Sequence, residues 1–230
     1  MSKKVYIGVG HGNTDPGAVA NGFKEKELAL DVARYLYDDL MRQGIECKIS
    51  RTDDSKVWLE QRISDCNKFK ADLALDIHFN AGGGDGAEVY HTRLLGTGKK
   101  LADNILAEFG KIGQNSRGAK VKLNDSGTDY FGFIRQTSCP AVLVECAFID
   151  NKTDIAIADT AAERKTMGIA IAKAVCKTLG ITYKASAKRV SDTVYRVQVG
   201  AFANRDNAVS VAATLSKLGY DSIIVEGEAK

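Results

Sequence analysis

The sequence has no apolar run long enough to cross a bilayer: its hydrophobic stretches are interrupted within about ten residues, against the roughly twenty that a span requires. Nor does it open on an apolar segment of secretory type. Met1-Ser2-Lys3-Lys4 leads straight into a strand pattern at Val5, so the expectation is synthesis in the cytoplasm without a signal peptide, and no membrane insertion. The five cysteines, Cys47, Cys66, Cys139, Cys146 and Cys176, are odd in number and lack Cys-x-x-Cys spacing. That argues against a disulfide framework or a zinc knuckle and leaves buried, reduced thiols. Charge of one sign is missing as well. The 32 basic and 29 acidic residues give a net charge of +3, too weak an excess to argue for nucleic acid. Two phosphate-binding fingerprints also fail. Before Gly98-Lys99 the phosphate loop needs a glycine where Arg93 stands and a hydroxyl where Lys100 stands, and the dinucleotide pattern begun at Gly8 ends on Asn13 rather than glycine.

What is present is a chain of 230 residues, 44% hydrophobic, enough for one domain of ordinary size with a small appendage. Val5-Tyr6-Ile7-Gly8-Val9 reads as a buried strand that stops on Gly10-His11-Gly12. Residues 24–43 place Leu28, Val32, Tyr35, Leu36 and Leu40 at three- and four-residue steps, with Gly44 closing an amphipathic helix. A strand follows over 45–50, a helix over 58–69 and a near-continuous apolar strand over 71–79. Then come a short strand over 87–90, a helix over 99–111, a polar stretch over 121–133 read as a substrate-facing loop, a buried strand over 141–145 and a closing helix over 161–179. Strands alternating with helices predict an α/β fold, with a mostly parallel sheet covered on both faces.

Three of these strands end on a polar group: His11 after the first, His78 in the third, and Glu145 after Ala141-Val142-Leu143-Val144. In a parallel sheet the three side chains converge at one edge, where ligands bind in open α/β folds. Two imidazoles and a carboxylate form the donor set of hydrolytic zinc, and a second carboxylate is needed to move the proton. Asp15, Glu25, Glu27 and Glu145 compete for the two acidic roles. Glu25 opens the first helix, where the dipole favours a carboxylate, and Glu27 lies about 200° around that helix, so the two do not face one ion together. Glu145 is the only charge between Pro140 and Ile149; burial there raises a carboxyl pKa, which suits a general base. Cys146 points to the opposite face of the strand, into the core, and His91 is read as structural.

Gly10-His11-Gly12, Asp15-Pro16-Gly17-Ala18, Glu25-Lys26, Arg51-Thr52 with Asp54, Leu59 and Arg62, Ala71-Asp72 with Ile77-His78 and Asn80-Ala81, and Val144-Glu145 with Phe148-Ile149 and Asn151 occur in that order. Over residues 3–180 this series resembles the zinc-dependent N-acetylmuramoyl-L-alanine amidases. The resemblance implies a twisted six-stranded sheet flanked by helices, a zinc ion held by His11, Glu25 and His78, and Glu145 as catalytic acid/base. It further implies hydrolysis of the amide between N-acetylmuramic acid and L-alanine in peptidoglycan, by a phage endolysin or an autolysin that reaches the wall after release. The alternative is a catalytically inactive peptidoglycan-binding protein that kept the fold. Two positions depart from the family pattern: Asn13 stands where glycine is common, and Asp76 where a small polar residue is common. Asp76 shares a strand face with His78, which leaves it either orienting that imidazole or serving as a salt-bridged acid.

The pattern changes after Ile181. Residues 1–181 are expected to form the catalytic domain, 182–191 a polar linker and 192–230 a small strand–helix–strand unit. The strands are expected over 194–202 and 222–225, and the helix over 204–218. This tail resembles half of a SPOR domain, a peptidoglycan-binding module. A lone half buries little and exposes a sheet edge, so the tail is expected to pair with a second copy in a homodimer, the alternative being docking on its own catalytic domain.

Overall fold

In the computed structural model, residues 2–185, 198–220 and 222–226 are described. They contain β1 (Lys4–Val9), β2 (Val19–Ala20), β3 (Phe23–Lys24), α1 (Glu25–Arg42), β4 (Glu46–Ile49), α2 (Leu59–Phe69), β5 (Leu73–Asn80) and β6 (Ala87–His91). These are followed by α3 (Thr97–Lys111), β7 (Ser116–Lys120), α4 (Gly132–Gln136), β8 (Ala141–Phe148), α5 (Lys152–Ile155), α6 (Ala161–Leu179) and α7 (Arg205–Lys217). The chain divides into two compact units, Met1–Lys184 and Ala185–Lys230.

Six strands of the first unit form one sheet in the order β4-β1-β5-β8-β6-β7. The pairs β1/β4, β1/β5, β5/β8 and β6/β7 are parallel, and β6/β8 is antiparallel. The mostly parallel sheet of the sequence reading is therefore present, with β6 and β7 running against the other four strands.

Alternation along the strands sorts the two faces. Val5, Ile7 and Val9 of β1, Leu75 and Ile77 of β5, and Val142, Val144 and Cys146 of β8 point into the main core. There they meet α1, α3 and α6. Leu28, Val32, Leu36 and Leu40 of α1 are buried at the spacing the sequence shows, each burial worth about 1.5–3 kcal/mol. The close approach of α6 to α1 depends on Gly168: a Cβ there would stand 2.9 Å from Val32 O and Leu36 N. Helix α6 also has a Thr160–Glu163 capping box and ends on Gly180 at φ 72°, in the left-handed region.

The second face is covered differently from the expectation. A smaller cluster of Tyr6, Ala74 and Ala141 with Ile63, Cys66 and Phe133 seats α2 and α4 over the amino-terminal ends of β1, β5 and β8. Further along those strands the same face carries Gly8, Gly10, Asp76, His78 and Glu145. These residues supply no apolar surface for a helix, and the candidate site lies here.

Besides the β2–β3 hairpin, the elements β7, α4 and α5 were not expected. Ser116–Lys120 pairs as β7 although Ser-Arg-Gly-Ala-Lys has no apolar alternation, because it adds to an edge with ladder bonds rather than burial. The stretch read as a loop over 121–133 narrows at a Leu123/Asp129 bridge and runs into α4. Asn151 caps the single-turn helix α5 by accepting from Thr153 N and Asp154 N.

In the second unit α7 follows an Asn204 cap that accepts from Asp206 N. Residues 198–202 and 222–226 form no ladder among the described residues, so the expected strand–helix–strand unit is seen here as its helix. An extended segment becomes a strand only by pairing. The remaining positions of the expected linker and first strand, 186–197, lie outside the described residues.

Candidate metal centre

At the end of β1 the chain leaves the sheet abruptly. Gly10 N still donates to Ile77 O at 3.0 Å, but His11, Gly12 and Asn13 take φ values of 58°, 134° and 52°. This left-handed run swings the His11 ring back over the sheet instead of along it. Paired bonds between Gly12 and Asp15 close the turn, and Asp15 Oδ1 lies 3.0 Å from His11 Nδ1. The other ring nitrogen then faces Glu25, with Nε2 3.1 Å from Oε1.

Arg51 and Asp54 fix this loop. One Arg51 nitrogen, Nη2, donates to Gly10 O and Lys26 O, at 2.8 and 2.7 Å, and Lys26 Nζ donates to Asn13 O and Asp54 Oδ2. The Arg-Thr-x-Asp block quoted from the sequence thus holds backbone and does not face the site itself.

Glu25 is delivered from the opposite layer. It is the first residue of α1, set over the strand ends by the β2–β3 hairpin, which Asn21 Nδ2 anchors on Ile149 O at 2.9 Å. Its Oε2 accepts from Ala18 N, and its Oε1 accepts from Phe79 N and stands 2.9 Å from His78 Nδ1. Burial works to raise the Glu25 pKa, but the hydrogen bonds from His11 and His78 outweigh it and hold the carboxylate below its usual range. Glu27 points away and pairs with Lys24 at the surface.

His78 projects from β5 on the same face. Burial opposes its charge, yet Asp76 and Glu25 push its pKa up to about 10. Its Nε2 lies 3.4 Å from Asp76 Oδ2, and Arg62 Nη1 donates to Asp76 Oδ1 at 2.7 Å. Asp76 therefore meets both descriptions left open by the sequence: a salt-bridged acid that also touches the imidazole. The His11 and His78 rings pack edge to face with centroids 5.2 Å apart.

Neighbouring glycines make room for these groups. A Cβ on Gly8 would overlap the Asp76 carboxylate, one on Gly10 the His78 ring, and one on Gly17 both Glu25 and His11.

One ligand atom from each of His11, Glu25 and His78 lies within 4.8 Å of the other two. Two imidazole nitrogens and a carboxylate oxygen, converging with their outer nitrogens already engaged by Asp15 and Asp76, fit a divalent ion of zinc type. Glu145 stands in register with His78 across β5 and β8, so both project from one face. Its Oε2 is buried with no hydrogen-bond partner among the described residues. Burial, partly offset by His78, raises its pKa to about 7.

The sequence reading missed Glu88, which opposes Glu145 on β6 and is 3% exposed. Arg117 Nε and Lys120 Nζ, from β7, both pair with its Oε1, and Tyr90 OH donates to its Oε2. His91 is buried with Nδ1 on Thr92 O, a structural placement. Cys146 faces the core, opposite Glu145.

Comparison with known proteins follows the same lines. The profile of the N-acetylmuramoyl-L-alanine amidase family matches residues 5–177, and that of the SPOR domain matches 171–226, beginning inside α6 and ahead of the change in sequence pattern. The chain is 33% identical over 226 residues to the N-acetylmuramoyl-L-alanine amidase CwlM of Bacillus licheniformis, a match covering 96% of this chain and 84% of that protein. It is 37% identical over 167 residues to the endolysin of Bacillus phage SPP1, covering 68% and 59% of the two. Among solved structures, the catalytic domain of the amidase CwlV from Bacillus (Paenibacillus) polymyxa superposes with a TM-score of 0.70 at 28% identity, covering 78% of this chain and 99% of that one.

Proposed function

The chain belongs to the N-acetylmuramoyl-L-alanine amidase family, and from that premise we propose that His11, Glu25 and His78 hold a zinc ion and that Glu145 moves the proton. The reaction is hydrolysis of the amide joining N-acetylmuramic acid to L-alanine in peptidoglycan. Zinc, when bound, supplies a Lewis acid for the scissile carbonyl and a water of lowered pKa.

The chain's own groups do the rest. Asp15 keeps a proton on Nδ1 of His11, which leaves Nε2 as the donor. Asp76 does the same on Nε2 of His78, which leaves Nδ1. Backbone amides hold both carboxylate oxygens of Glu25, Ala18 N on Oε2 and Phe79 N on Oε1, and this sets Oε1 towards the two imidazoles. Glu145 takes a proton from the attacking water through an oxygen that no group among the described residues occupies, then passes it to the departing amine of L-alanine. A carboxyl with a pKa near 7 is suited to both directions of transfer.

The observation that carries this reading is the convergence of His11 Nε2, Glu25 Oε1 and His78 Nδ1 beside the unpartnered oxygen of Glu145. Turbidity loss of purified cell walls, followed with and without a chelator, tests it: clearing that stops on chelation and returns with zinc is expected. Binding to walls with no release of amino groups would favour the inactive wall-binding alternative.

Wall contact is also proposed for the tail, on the strength of the SPOR match. In this unit Phe202, Ile223 and Val225 are exposed, which supports pairing of two tails in a homodimer. Sedimentation of the full chain against one ending at Tyr183 tests that pairing: the full chain is expected as a dimer and the shorter one as a monomer. Among the described residues no helix is long and apolar enough to cross a membrane, and the relatives include proteins named as cell wall amidases.

A further inference from the structure

Two of the five thiols lie together, away from the metal centre. Cys66 is on α2 and Cys139 precedes Pro140 at the entry to β8, with their Sγ atoms 3.9 Å apart. Cys47, Cys146 and Cys176 make no such sulfur–sulfur contact among the described residues.

The backbone on both sides of the pair is already tied. Asn67, next to Cys66, accepts from Ser138 N at 2.7 Å through Oδ1 and donates to Gln136 O at 3.0 Å through Nδ2. One side chain thus clamps the end of α2 to the segment carrying Cys139, so the two sulfurs are held as neighbours by bonds that do not involve them.

The pair is also reachable. A surface cavity of about 210 Å³ is lined by Cys66, Asn67, Lys70, Ala71, Ser138 and Cys139. Cys66 is 1% exposed and Cys139 is half-buried, so a reagent entering the cavity meets Cys139 first. The hydrogen bond from the Cys66 thiol holds Cys139 below the usual thiol range, against burial and the Asp72 carboxylate, which both act to raise it. Burial and local charge push Cys47 up to about 12 and Cys176 up to about 11, which keeps those two thiols protonated.

We propose that Cys66 and Cys139 are a modification site for small-molecule disulfides, which oxidise the pair to an intrachain bond stapling α2 to the entry of β8. The Cys139 thiolate attacks one sulfur of the reagent, forming a mixed disulfide and expelling one thiolate. Cys66, which its contact with Cys139 and burial hold above the usual thiol range while both are reduced, loses its proton once Cys139 carries the reagent sulfur, and displaces the second reagent thiolate from Cys139. Overall two protein thiols are oxidised, one reagent disulfide is reduced to two thiols, and no other oxidant is needed. Closing the gap to a bond of about 2.05 Å requires side-chain rotation, since the Asn67 clamp already sets the backbones side by side. The staple bears on the catalytic unit because Arg62, which holds Asp76, lies one turn before Cys66 on the same face of α2.

The test uses the reduced full chain, incubated under native conditions with oxidised glutathione, then alkylated and mapped by mass spectrometry. The expected result is one cross-linked peptide joining Cys66 to Cys139, three alkylated cysteines, and a melting midpoint raised by roughly 5 °C that returns to its starting value on reduction. Cys139→Ser should remove the cross-link and Cys47→Ser should keep it. Five alkylated thiols, a different pairing, or a stable glutathione adduct at Cys139 without cross-linking would overturn the proposal, and mapping of the unsubstituted chain decides this even if a variant misfolds. A cross-link with an unchanged midpoint would overturn the staple.

Discussion

Asp76 and His78 stand two residues apart on β5 and share a face of the sheet, with Asp76 Oδ2 3.4 Å from His78 Nε2 and Asp76 Oδ1 held at 2.7 Å by Arg62. The imidazole is thus fixed from behind, while its Nδ1 faces Glu25. Asp76→Asn keeps the shape of the side chain and removes the charge. Zinc affinity is expected to fall by about 10–100-fold, read by competition with a chromogenic chelator. Unchanged affinity would leave Asp76 as a partner of Arg62 alone. Asp76→Ala is expected to cost more, about 3–5 kcal/mol of stability, because it strands a buried guanidinium.

Gly10 is a packing position for the His78 ring. In Gly10→Ala the new methyl overlaps the imidazole, which has no slack on the side held by Asp76. The variant is expected to fold and to lose most of its zinc. Circular dichroism beside metal analysis checks this, and full zinc at unchanged affinity would contradict it.

As the proposed proton carrier, Glu145 is expected to set the acid limb of the activity profile. Burial raises its pKa to about 7 in the metal-free chain, and a bound cation draws it lower. Turnover is therefore expected to rise with pH along a limb centred at or below about 7, and Glu145→Gln should abolish the limb together with at least about 10² of the rate. A wild-type profile flat from pH 5 to pH 8 would remove Glu145 from the proton-transfer role.

The same shift has a stability consequence. The folded pKa lies above the unfolded value, so the contribution of Glu145 to stability is fully present below the unfolded pKa and is lost as pH rises through about 7. Metal-free Glu145→Gln should gain on the wild type between pH 5 and pH 8 by roughly 1–3 kcal/mol. Urea titrations at the two pH values measure the difference, and a gap that does not change with pH would contradict it.

Periodicity made the framework legible. The apolar runs of β1, β5 and β8 and the stepped leucines of α1 are unambiguous because each buries a full face. The edge strand β7 is polar, and pairing rather than burial defines it, so no pattern announced it. At the site, residues at strand ends could be read as convergent, but Asp15 stayed among the competing acids until geometry put it on Nδ1 of His11. The glycines at 8, 10 and 17 carry no side chain that could announce a contact in the sequence, yet they are the space that Asp76, His78, His11 and Glu25 occupy. Glu88 was hidden because its partners Arg117 and Lys120 come from the strand that lacked a pattern.

Holding the metal and moving the proton are proposed to fall to different residues, and zinc per chain in two purified variants distinguishes them. His78→Ala is expected to carry no stoichiometric zinc, because His11 and Glu25 alone do not retain it. Glu145→Gln is expected to carry one zinc per chain, like the wild type, while failing to clear cell walls. Full zinc in His78→Ala would remove His78 from the ligand set, and its loss from Glu145→Gln would place Glu145 among the ligands.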